Sequence, residues 1–263
     1  MFATRQLEPI TRHGHHIIAT ALFLACSLTF AASAGGTIPQ APLPNFSATY
    51  EVSRNGIKLG ESSRVLRRGA NGQFIYESQT HATGFVAWLI KDLIVERSVW
   101  IPAEHGLRPL SYSYDRSGGR KERHVKLHFD WENLRVTNDI GGDIWRMTIP
   151  ADAYDKLIYQ LAIMHDLSQG RETLQYNIAD GGKLKNYEFE ILGRETIETK
   201  LGPLKTVKIR RIDKKRDTVI WCATALNYLP VRLDQREPDG ARFSMELLSV
   251  EGFGPAAAVT SQK

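Results

Sequence analysis

Histidine is the residue type in this sequence that most often binds metals or transfers protons near neutral pH. Five histidines lie beyond the first 35 residues: His81, His105, His124, His128 and His165. His124 and His128 share one face of a predicted strand, where four residues of extended chain separate them by about 13 Å. One metal ion cannot span that distance, because its ligands lie about 2 Å away from it. The sequence therefore predicts no metal site and no histidine base.

No sequence motif with a known catalytic mechanism occurs in the chain. It has no Gly-x-Ser-x-Gly nucleophile elbow, no His-Glu-x-x-His zinc motif and no glycine-rich phosphate loop. Acidic residues are numerous, but the sequence does not say which of them meet in space. We therefore expect no cofactor and assign no catalytic residue. An enzyme with a site assembled from distant strands stays open as an alternative.

Two clusters of basic residues each surround a predicted turn. The first contains Arg116, Arg120, Lys121 and Arg123, and the second contains Arg210, Arg211, Lys214, Lys215 and Arg216. Charged turns commonly do no more than keep strand edges from pairing with other molecules. The second cluster is also our candidate for docking to an anionic surface, because positive charge attracts anionic lipid. The net charge of +5 is too small to decide between these interpretations.

An almost unbroken apolar run precedes Lys91 and is too apolar for a surface loop. We expect either a short helix or a tight bend before a strand that begins at Leu93. The run could close the core, or it could form a mobile cover over a ligand. The candidate ligand-binding residues are Phe85, Trp88, Leu89 and Ile90 of this run, with Trp221 as part of the wall.

A two-residue hydrophobic alternation extends over most of the chain and predicts the elements that must position these residues. Phe46, Ala48, Tyr50 and Val52 alternate with polar residues, and the same pattern recurs between Val125 and Trp131. Such alternation is typical of antiparallel strands with one buried face. We predict a mainly β fold of about a dozen strands, in a strongly curved antiparallel sheet or incomplete β-barrel.

Two local signals refine this prediction. Asn55-Gly56 separates two alternating runs and is typical of a type I′ hairpin turn. Apolar residues at helical spacing predict one clear α-helix from Asp152 to Gln169, with Asp152 as its N-cap, Asp155 in its first turn and Gly170 after its end. We expect the apolar stripe of this helix to cover the open face of the sheet.

The N-terminal segment is typical of an export signal. A basic stretch precedes an apolar run from Ile17 to Ala32, and Ala32-Ser33-Ala34 fits a signal peptidase site. We predict a signal peptide over residues 1–34 cleaved before Gly35, a flexible leader over 35–44, one β-rich domain over 45–253 and a disordered tail over 254–263. The predicted location is the periplasm. An uncleaved anchor and an outer-membrane lipoprotein attached through Cys26 are the alternatives.

Cleavage before Gly35 would leave Cys222 as the one cysteine of the mature chain. An internal disulfide is then impossible. A chain of this length can bury enough surface to fold without one. We therefore expect Cys222 to be a small buried apolar residue.

Several short segments resemble one bacterial family. They are Tyr50-Glu51-Val52, Glu96-Arg97, Asp155-Lys156-Leu157, Gly193 to Ile197, Leu201 to Val207, Trp221 and Asn227 to Val231. Together they resemble the family catalogued as domain of unknown function 3108 (DUF3108), over roughly Phe46 to Phe253. The resemblance implies an exported envelope protein of Gram-negative type and assigns no functional residue. The predicted architecture is also similar in shape to the half-barrels of periplasmic lipoprotein carriers.

These observations lead to one main functional hypothesis. We expect an envelope protein without catalytic activity that binds an apolar or amphipathic component, namely a lipid, a lipoprotein or an acyl chain. The alternative is a protein-interaction or assembly module of the envelope. Contact with an anionic membrane surface fits both hypotheses, and nucleic acid is not an expected partner of an exported protein.

Overall fold

The computed structural model describes residues 43–89, 91–104, 106–119 and 122–254, and every structural statement below concerns these ranges. The predicted signal peptide, Cys26, most of the predicted leader and nearly all of the predicted tail lie outside the described residues. Ile90, Arg120 and Lys121 also lie outside them.

Fifteen strands and two α-helices make up the fold. The strands are β1 Phe46–Arg54, β2 Ile57–Arg68, β3 Phe74–Ala82, β4 Leu93–Ala103, β5 Gly106–Ser117, β6 Arg123–Asp130, β7 Arg135–Ile140, β8 Asp143–Thr148, β9 Ala153–Asp155, β10 Leu174–Asp180, β11 Lys183–Thr199, β12 Gly202–Arg211, β13 Asp217–Ala223, β14 Leu229–Arg236 and β15 Arg242–Glu251. The helices are α1 Val86–Leu89 and α2 Tyr159–Ser168, and a 3₁₀ turn occupies Thr224–Leu226.

All strands belong to one sheet with the order β8-β7-β6-β5-β4-β3-β2-β1-β15-β14-β13-β12-β11-β10-β9. Neighbouring strands are antiparallel, except that β9 and β10 are parallel. β8 and β9 are the two edge strands and do not pair with each other. The prediction of a curved antiparallel sheet that is incompletely closed, with one clear helix and a short apolar helix, is confirmed.

Antiparallel pairing sorts the connections between strands onto two ends of the sheet, because each hairpin reverses the chain. We call these ends the first rim and the second rim. The described residues of the first rim are those of the connections 55–56, 83–89 with 91–92, 118–119 with 122, 141–142, 181–182, 212–216 and 237–241. Those of the second rim are 69–73, 104, 131–134, 200–201 and 224–228.

The predicted hairpin turn at Asn55-Gly56 lies on the first rim. Asn55 has φ of 51° and Gly56 has φ of 79°. Two consecutive positive φ angles are what a type I′ turn requires, and asparagine and glycine adopt them at low cost. The sequence prediction of this turn is confirmed.

The inner face of the sheet forms one continuous core with α2. Alternate residues of β1 are buried, among them Tyr50 at 2% exposure, and α2 buries Leu161 and Met164 completely. Each such side chain stabilises the fold by roughly 1.5–3 kcal/mol relative to an exposed position. Cys222 is free and buried in the same core, and burial raises the pKa of its thiol to about 12.

The predicted helix from Asp152 to Gln169 begins later than expected. Ala153–Asp155 pairs in parallel with β10 as strand β9, and the α-helix begins at Tyr159. Asp155 supplies the turn between them, because its Oδ1 accepts hydrogen bonds of 2.8 Å from the N–H groups of Leu157 and Ile158. Asp152, the predicted cap, instead accepts a hydrogen bond from Asn177. Pairing with β10 therefore overrides the helical periodicity over the first turn.

The carboxyl group of Asp155 is completely buried. Its Oδ2 accepts a hydrogen bond of 2.6 Å from Ser98 Oγ, which joins β9 to β4. Burial raises the pKa of Asp155 to about 6, although its hydrogen bonds favour the charged form. The folded chain therefore holds this proton more tightly than the unfolded chain does.

This difference predicts a pH dependence that depends on Asp155. The carboxyl group is protonated in both states below about pH 4, and the unfolded chain releases the proton first as the pH rises. We expect the free energy of unfolding of the wild type to fall by about 2 kcal/mol between pH 4 and pH 7, relative to Asp155→Asn. Denaturant unfolding of both proteins across this range measures the difference.

Asp152→Asn is the matched control, because it neutralises a carboxylate three residues away at an exposed hydrogen bond. We expect its unfolding free energy to follow the wild-type pH curve. Parallel curves for the wild type and Asp155→Asn would contradict a raised pKa at this position.

Candidate functional site

The half of the sheet that ends at β8 meets the half that ends at β9. At this place the tip of the β10–β11 hairpin lies against the inner face of β7 and β8. The Gly182 N–H donates a hydrogen bond of 3.0 Å to Asn138 Oδ1, and Asn138 is completely buried. The hairpin tip also contacts Trp145 of β8 and Ile140 of β7. We call this junction the seam, because it joins the two halves without a backbone ladder.

Glycine is required at the tip of this hairpin. Gly182 has φ of +84°, and a Cβ atom there would overlap the indole ring of Trp145. A side chain would therefore push the hairpin away from β8. Because this turn lies so close to β8, its position determines where β11 starts.

A cleft opens along the seam with a free volume of about 300 Å³. Volumes of this size are at the lower end for small-molecule sites. One wall comes from β5 and β6, and the other from the segment after β9 and from the β10–β11 hairpin. We call it the seam cleft; its lining residues are Tyr112, Tyr114, Arg123, Val125, Lys156, Asp180, Gly181, Lys183 and Lys185.

The seam cleft has a surplus of positive charge, since four basic side chains line it and Asp180 is its one acidic residue. Asp180 contacts two of the bases: Lys185 Nζ lies 2.5 Å from its Oδ2, and Lys156 Nζ lies 3.9 Å from its Oδ1. Arg123 and Lys183 have no carboxylate partner within 4.0 Å in the described part of the chain. An anionic group entering the cleft would therefore meet cations that are not already neutralised.

Two tyrosines form the less polar wall of the seam cleft. Lys156 Nζ lies 5.7 Å from the centre of the Tyr114 ring, a cation–π contact that holds the ammonium group over the cleft. Tyr112 is buried and donates a hydrogen bond of 2.6 Å to Glu96 Oε1. Burial, followed by the neighbouring Glu96 carboxylate, raises the pKa of Tyr112, so its phenol stays neutral. The cleft therefore combines cations with aromatic surface.

A second pocket lies between α2 and the sheet, with a free volume of only about 50 Å³. Its walls include Tyr50, Arg64, Tyr159 and Gln160. The Arg64 guanidinium donates to Gln160 Oε1 and lies 5.4 Å from the centre of the Tyr50 ring. This volume holds a few water molecules at most. The gap between α2 and the sheet is therefore too small for an acyl chain.

The structure does not bring Trp221 close to Phe85 and Trp88, with which it was predicted to bind a ligand. Phe85 and Trp88 are 79% and 83% exposed on the first rim, where α1 packs against β2 and β3. Trp221 of β13 lies four strands from β2, at about 19 Å, on the outer face of the sheet. Its Nε1 donates a hydrogen bond of 2.6 Å to Glu195. Leu89 belongs to α1, and a binding role for any of these residues stays a prediction.

The predicted docking cluster lies at the first rim. It covers the end of β12 and the connection from β12 to β13. Three of its members have carboxylate partners: Arg210 with Asp217 at 3.3 Å, Arg211 with Asp213 at 3.2 Å and Arg216 with Glu237 at 3.0 Å. Lys214 and Lys215 have none within 4.0 Å among the described residues. A docking role stays a prediction for the cluster.

Sequence reasoning missed the seam cleft because its walls are far apart in the chain. The β10–β11 turn, Asp180-Gly181-Gly182-Lys183, carries two glycines between charged residues and was the available signal. Nothing in the sequence indicated that this turn reaches β6 and β7. Only the curvature of the sheet brings Arg123 to Lys183.

Neither a cluster of metal ligands nor a membrane-spanning helix occurs among the described residues. No group of three or more histidine, cysteine, aspartate or glutamate side chains within these residues could hold a metal ion. His124 Nδ1 lies 2.8 Å from Asp115 Oδ1 at the exposed surface of β5 and β6. None of the helices described here is both long enough and apolar enough to span a bilayer.

Comparisons with known proteins give one family and one fold. The model of the family described as protein of unknown function (DUF3108) matches residues 49–247. A β-barrel-like protein of domain of unknown function DUF1849 from Brucella abortus has a similar structure, with a TM-score of 0.55 and 8% identity over 80% of this chain and 98% of that chain. This likeness shows the fold alone.

A weaker match is the hypothetical lipoprotein YmcC from Escherichia coli. Its TM-score is 0.30 and its identity 12%, over 80% of this chain and 86% of that chain. We draw no conclusion from this match. No curated protein matches the sequence.

The seam gives a testable prediction about stability. We expect Gly182→Ala to lower the free energy of unfolding by about 2 kcal/mol more than Gly141→Ala does, because the new methyl group displaces Trp145. Gly141 is the matched control: it also has a positive φ, and a Cβ there meets nothing within 4 Å. Denaturant unfolding measures both variants, and equal losses would contradict the close contact at the seam.

Proposed function

Since this chain belongs to the DUF3108 family, whose function is unknown, we propose a function from its geometry: it is a non-catalytic protein of the cell envelope that binds an anionic amphipathic molecule. The class of ligand is a lipid or acylated compound with a phosphate or carboxylate head group. The binding site is the seam cleft.

The observation that carries this proposal is the charge of the seam cleft. Four basic side chains surround one carboxylate in a space of about 300 Å³. A phosphate or carboxylate accepts charge-assisted hydrogen bonds from lysine and arginine, which are stronger than hydrogen bonds between neutral groups. Arg123 and Lys183 lie on opposite walls and are free of carboxylate partners in the described chain, so one anionic head group can bind both.

The surroundings of the cleft favour an amphipathic ligand over a small inorganic anion. Tyr112, Tyr114 and Val125 give one wall an apolar surface. A ligand with its head group in the cleft could lay its apolar part over these residues. Because α2 packs against the inner face, an acyl chain binds more favourably on this wall than inside the core.

The N-terminal sequence supports the envelope location in this proposal. Its basic stretch, its apolar run and Ala32-Ser33-Ala34 form the pattern that export machinery recognises. Envelope membranes supply anionic phospholipids, which fits the charge of the cleft.

Binding of a monomeric short-chain lipid tests the site. We expect dihexanoyl phosphatidylglycerol, below its critical micelle concentration, to bind saturably in isothermal titration calorimetry, and at least about tenfold more tightly than dihexanoyl phosphatidylcholine. Arg123→Glu/Lys183→Glu should weaken phosphatidylglycerol binding at least about tenfold, because it replaces the unpaired cations with repelling charges.

Lys214→Glu/Lys215→Glu is the matched control, since it reverses two lysines on the same rim outside the cleft. Its affinity for monomeric phosphatidylglycerol should stay within about twofold of the wild type. An equal loss in both double variants would mean general charge attraction and would sink the proposed site, as would the absence of saturable binding by the wild type.

Export has a separate test in a Gram-negative host. We expect the full chain to be recovered from the periplasmic fraction with Gly35 as its first residue, because peptidase cleavage follows Ala34. Intact-mass measurement decides the outcome: a retained Met1 or a lipid on Cys26 would contradict this assignment.

A further inference from the structure

We propose that the first rim docks onto an anionic lipid bilayer, with Trp88 of α1 and the preceding Phe85 inserting their side chains into the interface. This surface borders the seam cleft and shares Lys183 and Lys185 with it, but it contacts the plane of a membrane rather than a single molecule. The inference goes beyond the proposed function, because docking by this rim requires no ligand in the cleft.

The distribution of exposed apolar side chains is the first observation. Nine large hydrophobic residues are exposed in the described chain, and all but Leu134 and Leu192 lie at the first rim. The members at the first rim are Ile57, Phe85, Trp88, Ile144, Trp145, Leu184 and Ile212. They come from five different connections and their flanking residues. A single end of the sheet thus gathers apolar side chains from distant parts of the sequence.

The α1 segment is the most prominent part of this rim. Phe85 and Trp88 are three residues apart and more exposed than any other large hydrophobic residue described. α1 is one turn of helix, and the described chain packs it only against the ends of β2 and β3. Aromatic residues are enriched where membranes meet water, because their rings suit the head-group region. Both side chains are therefore placed to enter that region.

Cations accompany the apolar residues of the first rim. Lys58 follows Ile57, Lys91 lies three residues after Trp88, and Lys183 and Lys185 flank Leu184. Lysine next to an inserted apolar residue can extend its ammonium group to the lipid phosphates while its stem stays in the apolar layer.

The predicted docking cluster completes this pattern. Lys214 and Lys215 follow the exposed Ile212, and neither has a carboxylate partner within 4.0 Å in the described ranges. Each lysine held near an anionic membrane adds to binding. The sequence-based candidate for anionic docking thus coincides with the apolar rim, an overlap that the sequence did not reveal.

The arrangement fits a bilayer better than a protein partner. Protein interfaces have an apolar centre from which charged residues are depleted. On the first rim, charged residues of both signs lie between the exposed apolar residues, so no single charge-free patch forms. A bilayer containing phosphatidylglycerol has an anionic surface above an apolar interior. It can therefore contact the basic and the apolar residues of the rim at the same time.

Vesicle flotation tests the proposal with the mature chain. We expect binding to vesicles of phosphatidylcholine and phosphatidylglycerol, and at least about tenfold weaker binding to phosphatidylcholine alone. Phe85→Ser/Trp88→Ser should reduce binding at least about tenfold, because it removes the inserting rings. Lys214→Glu/Lys215→Glu should remove most of the dependence on phosphatidylglycerol.

Leu134→Asn/Leu192→Ser is the matched control, since it removes the two exposed apolar residues that lie off the first rim. Its binding should stay within about twofold of the wild type. Equal losses in this control and in the α1 variant would overturn the proposal. So would the absence of vesicle binding by the wild type, and the rim would then be a surface for a protein partner.

A conservative variant separates insertion from loss of structure. Trp88→Phe keeps an apolar ring, so we expect its vesicle binding to stay within about threefold of the wild type. The blue shift of tryptophan fluorescence on vesicle binding should be largely lost with Trp88. A full blue shift in Trp88→Phe would contradict insertion of α1.

The two proposals fail separately. Arg123→Glu/Lys183→Glu should lose the monomeric lipid while Phe85→Ser/Trp88→Ser retains it. In the wild type, absence of vesicle binding with intact monomer binding would overturn the docking rim alone, and vesicle binding with no monomer binding would overturn the seam cleft alone.

Discussion

The hydrogen bond between the Gly182 N–H and Asn138 holds together two parts of a sheet that share no backbone ladder. A fully buried amide such as that of Asn138 would be costly without a partner, by about 1–3 kcal/mol, so the β10–β11 tip and β7 depend on each other. The sheet overlaps itself here instead of closing strand to strand. Two walls that do not pair leave space between them, and that space is the seam cleft.

The interior explains why this protein presents its polar and apolar surfaces at an end of the sheet. Parallel β9 leads through the Asp155 turn into α2, which fills the space that the sheet encloses. Ser98 fixes this inner layer to β4 through the same carboxylate. With this layer packed inside the sheet, most of the exposed large apolar side chains of the described chain lie at the first rim, where strands end.

Local patterns predicted the strands and turns well, because alternation and the Asn55-Gly56 pair act over a few residues. The predicted start of the helix was wrong. Ala153–Asp155 pairs instead with β10, whose residues come more than twenty positions later in the sequence. Likewise, the basic cluster after β12 was visible in the sequence, but its place beside the exposed residues of other connections was not. The cleft depends on the curvature of fifteen strands, which no short pattern encodes.

The burial of Cys222 has a practical consequence for the behaviour of the chain. A neutral thiol with a pKa of about 12, closed off from solvent, reacts slowly with disulfides and alkylating agents. In a chain cleaved before Gly35, as proposed, it would be the one cysteine. The rate at which Cys222 is modified then measures how often the core around β13 opens. The native sequence therefore contains its own probe of local unfolding.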